Sequence, residues 1–137
     1  NVATYGRLYS WYAVTDSRNV CPTGWHVPTD AEWETLKSYL GGELIAGGKL
    51  KETGTIHWQT PNTGATNETG FTTLPDGYRN YGSFVSLQLT CYFWSSSPDL
   101  TVPTQGLGQD MHWNNSILLR GGYIKPSGCS VRCLRNL

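Results

Sequence analysis

Charge of either sign is scarce: Lys+Arg 10 and Asp+Glu 10 leave a formal net charge of +0, and only 15% of the 137 residues are charged, against about 25% in an ordinary soluble domain. With no basic run or stripe, the chain lacks the electrostatic footprint of a nucleic-acid binder, and no nucleic-acid partner is expected. Long apolar runs are missing too. The longest, such as Ile117-Leu118-Leu119, falls far short of the roughly 20 residues that cross a bilayer, so no membrane span is expected. The first residues show no charged-then-apolar leader pattern, as in a trimmed mature form or a fragment. No Cys-x-x-Cys pair occurs and no cysteine has a close His partner, which argues against a zinc knuckle or a thioredoxin-like motif. What is abundant is Gly (16), Trp (6) and Tyr (8), a composition that suits a loop-rich, secreted, aromatic-surfaced domain. The length is that of one domain over 1–137, burying roughly two thirds of the surface its unfolded chain exposes.

Four cysteines, Cys21, Cys91, Cys129 and Cys133, allow three disulfide pairings. On an extended strand Cys129 and Cys133 face the same side, so each reaches a different neighbouring element. The favoured pairing joins Cys21 to Cys133, tying an early segment to the last strand, with Cys91 to Cys129 by elimination. In a reducing compartment all four would instead be small buried hydrophobes.

Residues Arg7 to Val14 are rich in aromatics and read as a strand, followed by turn formers at Asp16-Ser17-Arg18-Asn19. The strongest helix signal is Thr29-Asp30-Ala31-Glu32, a capping box in which each side chain satisfies an orphan amide of the first turn. Trp33, Leu36 and Leu40 then repeat on one face, and Gly41-Gly42 ends the helix. A second helix is expected over Leu44 to Lys51, although Gly47-Gly48 inside it costs about 2 kcal/mol relative to alanine. Thr53 to Arg79 reads as a long ordered loop of turn formers. Strands return at Tyr92 to Ser95, Met111 to Trp113, Ile117 to Arg120 and Ser130 to Leu134, whereas Thr104 to Asp110 alternates poorly. The fold class is α+β.

The blocks Tyr5-Gly6-Arg7-Leu8-Tyr9-Ser10-Trp11-Tyr12-Ala13-Val14, Cys21-Pro22-Thr23-Gly24-Trp25-His26-Val27-Pro28-Thr29-Asp30-Ala31-Glu32-Trp33 and Gly47-Gly48-Lys49-Leu50-Lys51-Glu52 resemble the Fibrobacter succinogenes major paralogous domain family. Asn62 to Phe71, Leu74 to Arg79, Tyr92 to Ser97 and Ser130 to Arg135 are similar to it in the same order. That family in turn resembles the C-type lectin and formylglycine-generating-enzyme superfold. The resemblance implies one or two short helices, a small twisted antiparallel sheet and long ordered loops. It implies paired terminal strands, in agreement with Cys21–Cys133, and a bacterial cell-surface or extracellular setting, as for lipoproteins and adhesins. Members of the superfold include variable proteins diversified by retroelements, whose last strands and loops bind different partners. Between Ser97 and Gly128 the chain departs most from the family pattern, and Cys129 stands where Phe is usual, which points to a pairing with Cys91 particular to this chain.

Asp110-Met111-His112-Trp113-Asn114-Asn115-Ser116 resembles the Trp-Asn-Asp calcium strand of sugar-binding lectins, but no Glu-Pro-Asn or Gln-Pro-Asp partner occurs, and calcium needs six to eight oxygens. The reading is therefore of no cofactor, with a structural calcium in the oxygen-rich loop Asn62 to Glu68 as the alternative to side chains that tie that loop themselves. His26, beside the helix cap, reads as a structural hydrogen-bonder. The copper-dependent enzyme of the superfold uses two closely spaced cysteines. Here Cys133 matches the structural cysteine of the last strand instead, and a thiol locked in a disulfide cannot ligate copper. Trp11, Trp25, Trp33 and Trp94 belong to framework motifs and are expected in the core. The candidate recognition surface is Asp99, Leu100, Met111, Trp113, Asn115, Leu118, Arg120, Tyr123 and Lys125, since Trp, Tyr and Arg supply contact area and directed hydrogen bonds at low entropic cost. The competing reading places Trp113 and Tyr123 in the core. The expected function is a non-enzymatic binding module for a protein or glycan on a cell or phage surface. The alternatives are an enzyme or degraded enzyme of the formylglycine-generating type, or a structural domain of an envelope protein or pilus tip.

Overall fold

The computed structural model describes residues 1–137. In chain order its elements are α1 (Val2–Tyr5), α2 (Trp11–Val14), β1 (Trp25–His26), α3 (Asp30–Tyr39), α4 (Glu43–Leu50), β2 (Tyr78–Asn80), β3 (Ser83–Val85), β4 (Thr90–Pro98), β5 (Gln105–His112), β6 (Leu119–Ile124) and β7 (Leu134–Arg135). Short helices, small antiparallel sheets and ordered loops make the chain α+β.

The capping box forms as its spacing predicts: Thr29 Oγ1 accepts from the Glu32 amide at 3.2 Å, and a Glu32 carboxylate oxygen accepts from the Thr29 amide at 2.9 Å. Helix α3 ends before Gly41, whose φ of 101° lies in the left-handed region. The expected strand Arg7 to Val14 does not form. Ser10 caps a helical turn by accepting from the Ala13 amide, so Trp11–Val14 coils, and only Tyr9 stays extended, exchanging two backbone bonds with Cys129. One local cap therefore overrides the strand propensity of the aromatic residues. Helix α4 forms despite its two glycines because they permit close approach: a Cβ at Gly47 would lie 2.2 Å from the Ile117 carbonyl oxygen, and one at Gly48 2.2 Å from that of Gly64.

Strands β4, β5 and β6 make an antiparallel sheet with β5 in the middle. Poor alternation hid β5 because Gly106 through Met111 are all buried, so neither face of the strand is turned to solvent. The register sets Tyr92 opposite Asp110, Gly108 opposite Gly121 and Gly106 opposite Tyr123. One core cluster, including Trp33, Leu50, Trp58, Phe93, Met111 and Leu118, packs between the sheet and α3–α4. A second, of Val14, Cys21, Val27, Trp94 and Cys129, lies on the other side. Trp33 and Trp94 are buried as expected and Trp11 is half-buried, but Trp25 is 40% exposed, since β1 pairs only with the surface strand β7. The segment from Ser130 contributes one bridge to Phe93 and then β7, rather than a continuous strand.

The loop from Thr53 is anchored by Trp58, 1% exposed, whose indole N–H donates to the Thr73 carbonyl at 2.9 Å. Lys51 is fully buried beside it and donates to the carbonyls of Thr63, His112 and Asn115 at 2.9, 3.0 and 2.9 Å. The β2–β3 hairpin at the end of this region turns on Tyr81 and Gly82, both at positive φ.

Cys21 and Cys133 are disulfide-bonded across 112 positions, with Cα atoms 5.8 Å apart. The expected Cys91–Cys129 bond is absent, and both thiols are free and buried. Cys91 points with Phe93 into the first core cluster, whereas Cys129 runs beside Tyr92 on the opposite side of β4. Side chains that leave alternate faces of a sheet cannot be bridged without moving the backbone.

Candidate ligand-binding site

Three of the nine candidate surface residues meet. Asp99 and Leu100, in the turn after β4, and Arg120, on β6, surround a cavity of about 520 Å³ together with Asp30, Ser97 and Leu107. Arg120 Nε donates to both carboxylate oxygens of Asp30, each at 2.9 Å. This bond holds the guanidinium above its ordinary pKa. It also fixes the plane of the group while its terminal amino groups stay without a protein partner. Asp99 Oδ1 accepts from the Thr101 hydroxyl at 2.7 Å and from the Thr101 and Val102 amides at 2.8 and 3.1 Å, which shapes the turn and lowers the carboxyl's pKa, chiefly through the hydroxyl. Leu100, at the tip, is 89% exposed. The groove thus presents a fixed planar donor, carboxylate acceptors and an apolar knob side by side. That set matches paired hydroxyls on a sugar or a polar rim with an apolar anchor on a protein.

The other candidates lie elsewhere. Met111 and Leu118 are 0% exposed in the first core cluster, so they cannot touch a ligand; both are apolar positions on the sheet side covered by α3 and α4. Trp113, just past the opposite end of β5, is half-buried against that same cluster. Asn115 is taken up locally: its Oδ1 accepts from the Ile117 amide at 3.0 Å, and its carbonyl accepts from Lys51. Lys125 reaches back over the Trp11 ring, 4.7 Å from the centroid, and donates to the Pro103 carbonyl at 2.7 Å. Tyr123 crosses the face of the sheet opposite Arg120 and lines a second cleft, of about 250 Å³, with Tyr78, Tyr81 and Tyr92.

The sequence model of the Fibrobacter succinogenes major domain family matches residues 1–135. The chain belongs to that family. No curated protein and no solved structure matches it. In this Fibrobacter succinogenes major domain the early and late framework motifs meet: Tyr9 pairs with Cys129, β1 with β7, and Cys21 bonds to Cys133.

No group of three or more His, Cys, Asp or Glu side chains is placed to hold a metal ion. The oxygen-rich loop is tied by its own bonds: the Asn62 amide donates to the carbonyls of Glu52 and Gly54 at 2.8 and 2.7 Å, and Asn67 bonds Thr72 through both side-chain atoms. The Lys51 ammonium supplies positive charge where the carbonyls of Thr63 and Asn115 converge. His26 is a structural bonder, with Nδ1 2.6 Å from Asn136 Oδ1 and Nε2 2.9 Å from Glu32; these two contacts, Asn136 first, raise its pKa. It links the helix cap to the C-terminal segment.

Asp30 and Ser97 were visible in the sequence only as a first-turn acid and a serine. Their place in the groove rests on contacts across 90 and 67 positions, Arg120 to Asp30 and the Asp30 amide to Ser97 Oγ. No spacing rule reaches so far.

Proposed function

We propose that this chain is a non-enzymatic, extracellular ligand-binding module of C-type-lectin-like architecture, which recognises a protein or glycan on a cell or phage surface through the groove of Asp30, Asp99, Leu100 and Arg120. The observation that carries the reading is the Arg120 guanidinium, clamped through Nε by Asp30 with its terminal amino groups unpartnered beside an exposed Leu100. An arginine fixed in this way binds with little further loss of side-chain freedom. The disulfide across the termini supports an oxidising compartment, and no helix is long and apolar enough to cross a membrane.

The enzyme alternative finds less support. Desolvation raises the thiols of both Cys91 and Cys129, each 1% exposed, away from the reactive thiolate, and Cys133 is committed to the disulfide. A groove whose exposed residues sit on a turn and a strand end, outside both core clusters, is also a surface that a diversified receptor could vary without disturbing its core.

The test is binding of the oxidised domain to arrayed glycans and to intact bacterial and epithelial cells, with and without chelator, beside a Leu100→Ala/Arg120→Ala variant. The expected result is saturable binding that weakens about tenfold or more in the variant. Binding that is unchanged in the variant moves the site elsewhere. No binding to any surface favours the structural domain.

A further inference from the structure

Four tyrosines gather on the side of the sheet away from the groove. The Tyr78 and Tyr92 rings have centroids 4.7 Å apart; the Tyr92 and Tyr123 rings are 5.1 Å apart and perpendicular. Tyr81, at the tip of the β2–β3 hairpin and 88% exposed, closes the outer wall. The ring of Tyr123 lies over the strands because Gly108 leaves room: a Cβ there would sit 2.9 Å from its Cε2. These four tyrosines line a cleft of about 250 Å³, edged by Asn80 and Gln105.

Behind these rings lies a carboxylate. Asp110 is the register partner of Tyr92, is only 6% exposed, and accepts from the Tyr123 hydroxyl through Oδ2 at 3.0 Å. Its Oδ1 is buried without a hydrogen-bond partner, and His112 Nε2 is 3.7 Å from it. The nearby lysine and arginine are engaged elsewhere, Lys125 over Trp11 and Arg79 over Phe84. Burial, with the charge of Asp110 next, pushes the Tyr92 hydroxyl up to about 12, so that ring stays neutral.

Ring faces carry negative quadrupole density, and the exposed faces of this tyrosine cluster, with the Asp110 carboxylate behind them, favour a positive charge in the cleft. We propose that the tyrosine cleft is a site for a quaternary ammonium group of choline size, held by cation–π contact with Tyr78, Tyr81, Tyr92 and Tyr123 and by the charge of Asp110. A cation that cannot donate hydrogen bonds suits it better than an ammonium, because ring faces replace its loose hydration at little cost. This site stands apart from the groove and does not depend on it.

The test is titration of the whole domain with choline, following the ring resonances of the four tyrosines, beside the neutral isostere 3,3-dimethylbutan-1-ol. Saturable shifts with a dissociation constant of about 1–10 mM or below are expected, with the isostere at least about tenfold weaker. Asp110→Asn, which keeps an oxygen for Tyr123, and Tyr81→Ala, a change at an exposed position, should each weaken choline severalfold while circular dichroism stays native. Rings unmoved by choline overturn the proposal. So does equal binding of the isostere, which would make the cleft a plain apolar slot, or full binding in both variants. Phosphatidylcholine vesicles form a second arm: competition with choline assigns the same box to a lipid headgroup, and failure to compete assigns it to the soluble cation.

Discussion

Lys51→Met would remove one ammonium from the interior and keep most of the side-chain volume. In the folded chain that ammonium donates to the carbonyls of Thr63, His112 and Asn115, which come from two segments otherwise joined by few bonds, and it lies 5.2 Å from the Trp58 ring centroid. A hydrogen bond to a charged group contributes about 1.5–3 kcal/mol, so three give a gross loss of about 5–9 kcal/mol. Against this stands the desolvation that pushes the Lys51 pKa down to about 8. A fall from 10.5 to about 8 is worth about 3 kcal/mol returned on removing the charge. The net expectation is a loss of about 2–6 kcal/mol, enough to unfold a marginal domain. Urea denaturation at pH 7 measures it, and hydrogen exchange at the Thr63 amide, bonded to the Trp113 carbonyl, reports whether the loop opens first.

The pH dependence of the same residue carries a sign. Its folded pKa lies below the unfolded value of 10.5, so between about pH 8 and 10.5 the unfolded chain holds a proton that the folded one has lost. Stability contributed by this group therefore rises with pH across that window, by up to about 3 kcal/mol. Lys51→Met should abolish the rise. A variant within about 0.5 kcal/mol of the parent at pH 7, the scale of an ordinary surface substitution, would refute the reasoning.

Reducing Cys21–Cys133, which closes a loop of more than a hundred residues, should lower stability by about 3–5 kcal/mol; mass-counted alkylation should then label two cysteines in the folded reduced protein and all four only after unfolding, because Cys91 and Cys129 are buried. Asp76, whose carboxylate accepts from Ser130 and keeps Oδ1 buried without a partner, has its pKa raised by burial to about 6. Its sign is opposite to that of Lys51. The folded chain keeps a proton that the unfolded one loses, so the contribution is full below about pH 4 and fades as pH rises through 6, by up to about 3 kcal/mol; Asp76→Asn should flatten that part of the denaturation profile.

Features that depend on neighbours in the chain were legible from residues alone. The capping box at Thr29 and Glu32, the glycine stop at Gly41 and the two helices needed only a few adjacent positions, because a helix satisfies its amides within four residues. The family blocks marked the framework, and the Cys21–Cys133 bond followed its first and last motifs. Tertiary structure decided the rest wherever the deciding partner is remote. Strand β5 shows no alternation because both its faces are covered, and Cys91 on β4 and Cys129 on a later segment end in core clusters on opposite sides of the sheet. Met111 and Leu118 went to the core, while Asp99, Leu100 and Arg120 were assembled into a groove by Asp30. Composition announces how many tyrosines and carboxylates a chain owns; only the sheet register sets Tyr92 opposite Asp110 and gathers Tyr78, Tyr92 and Tyr123 around one cleft, because cross-strand neighbours are chosen by pairing and not by distance along the chain.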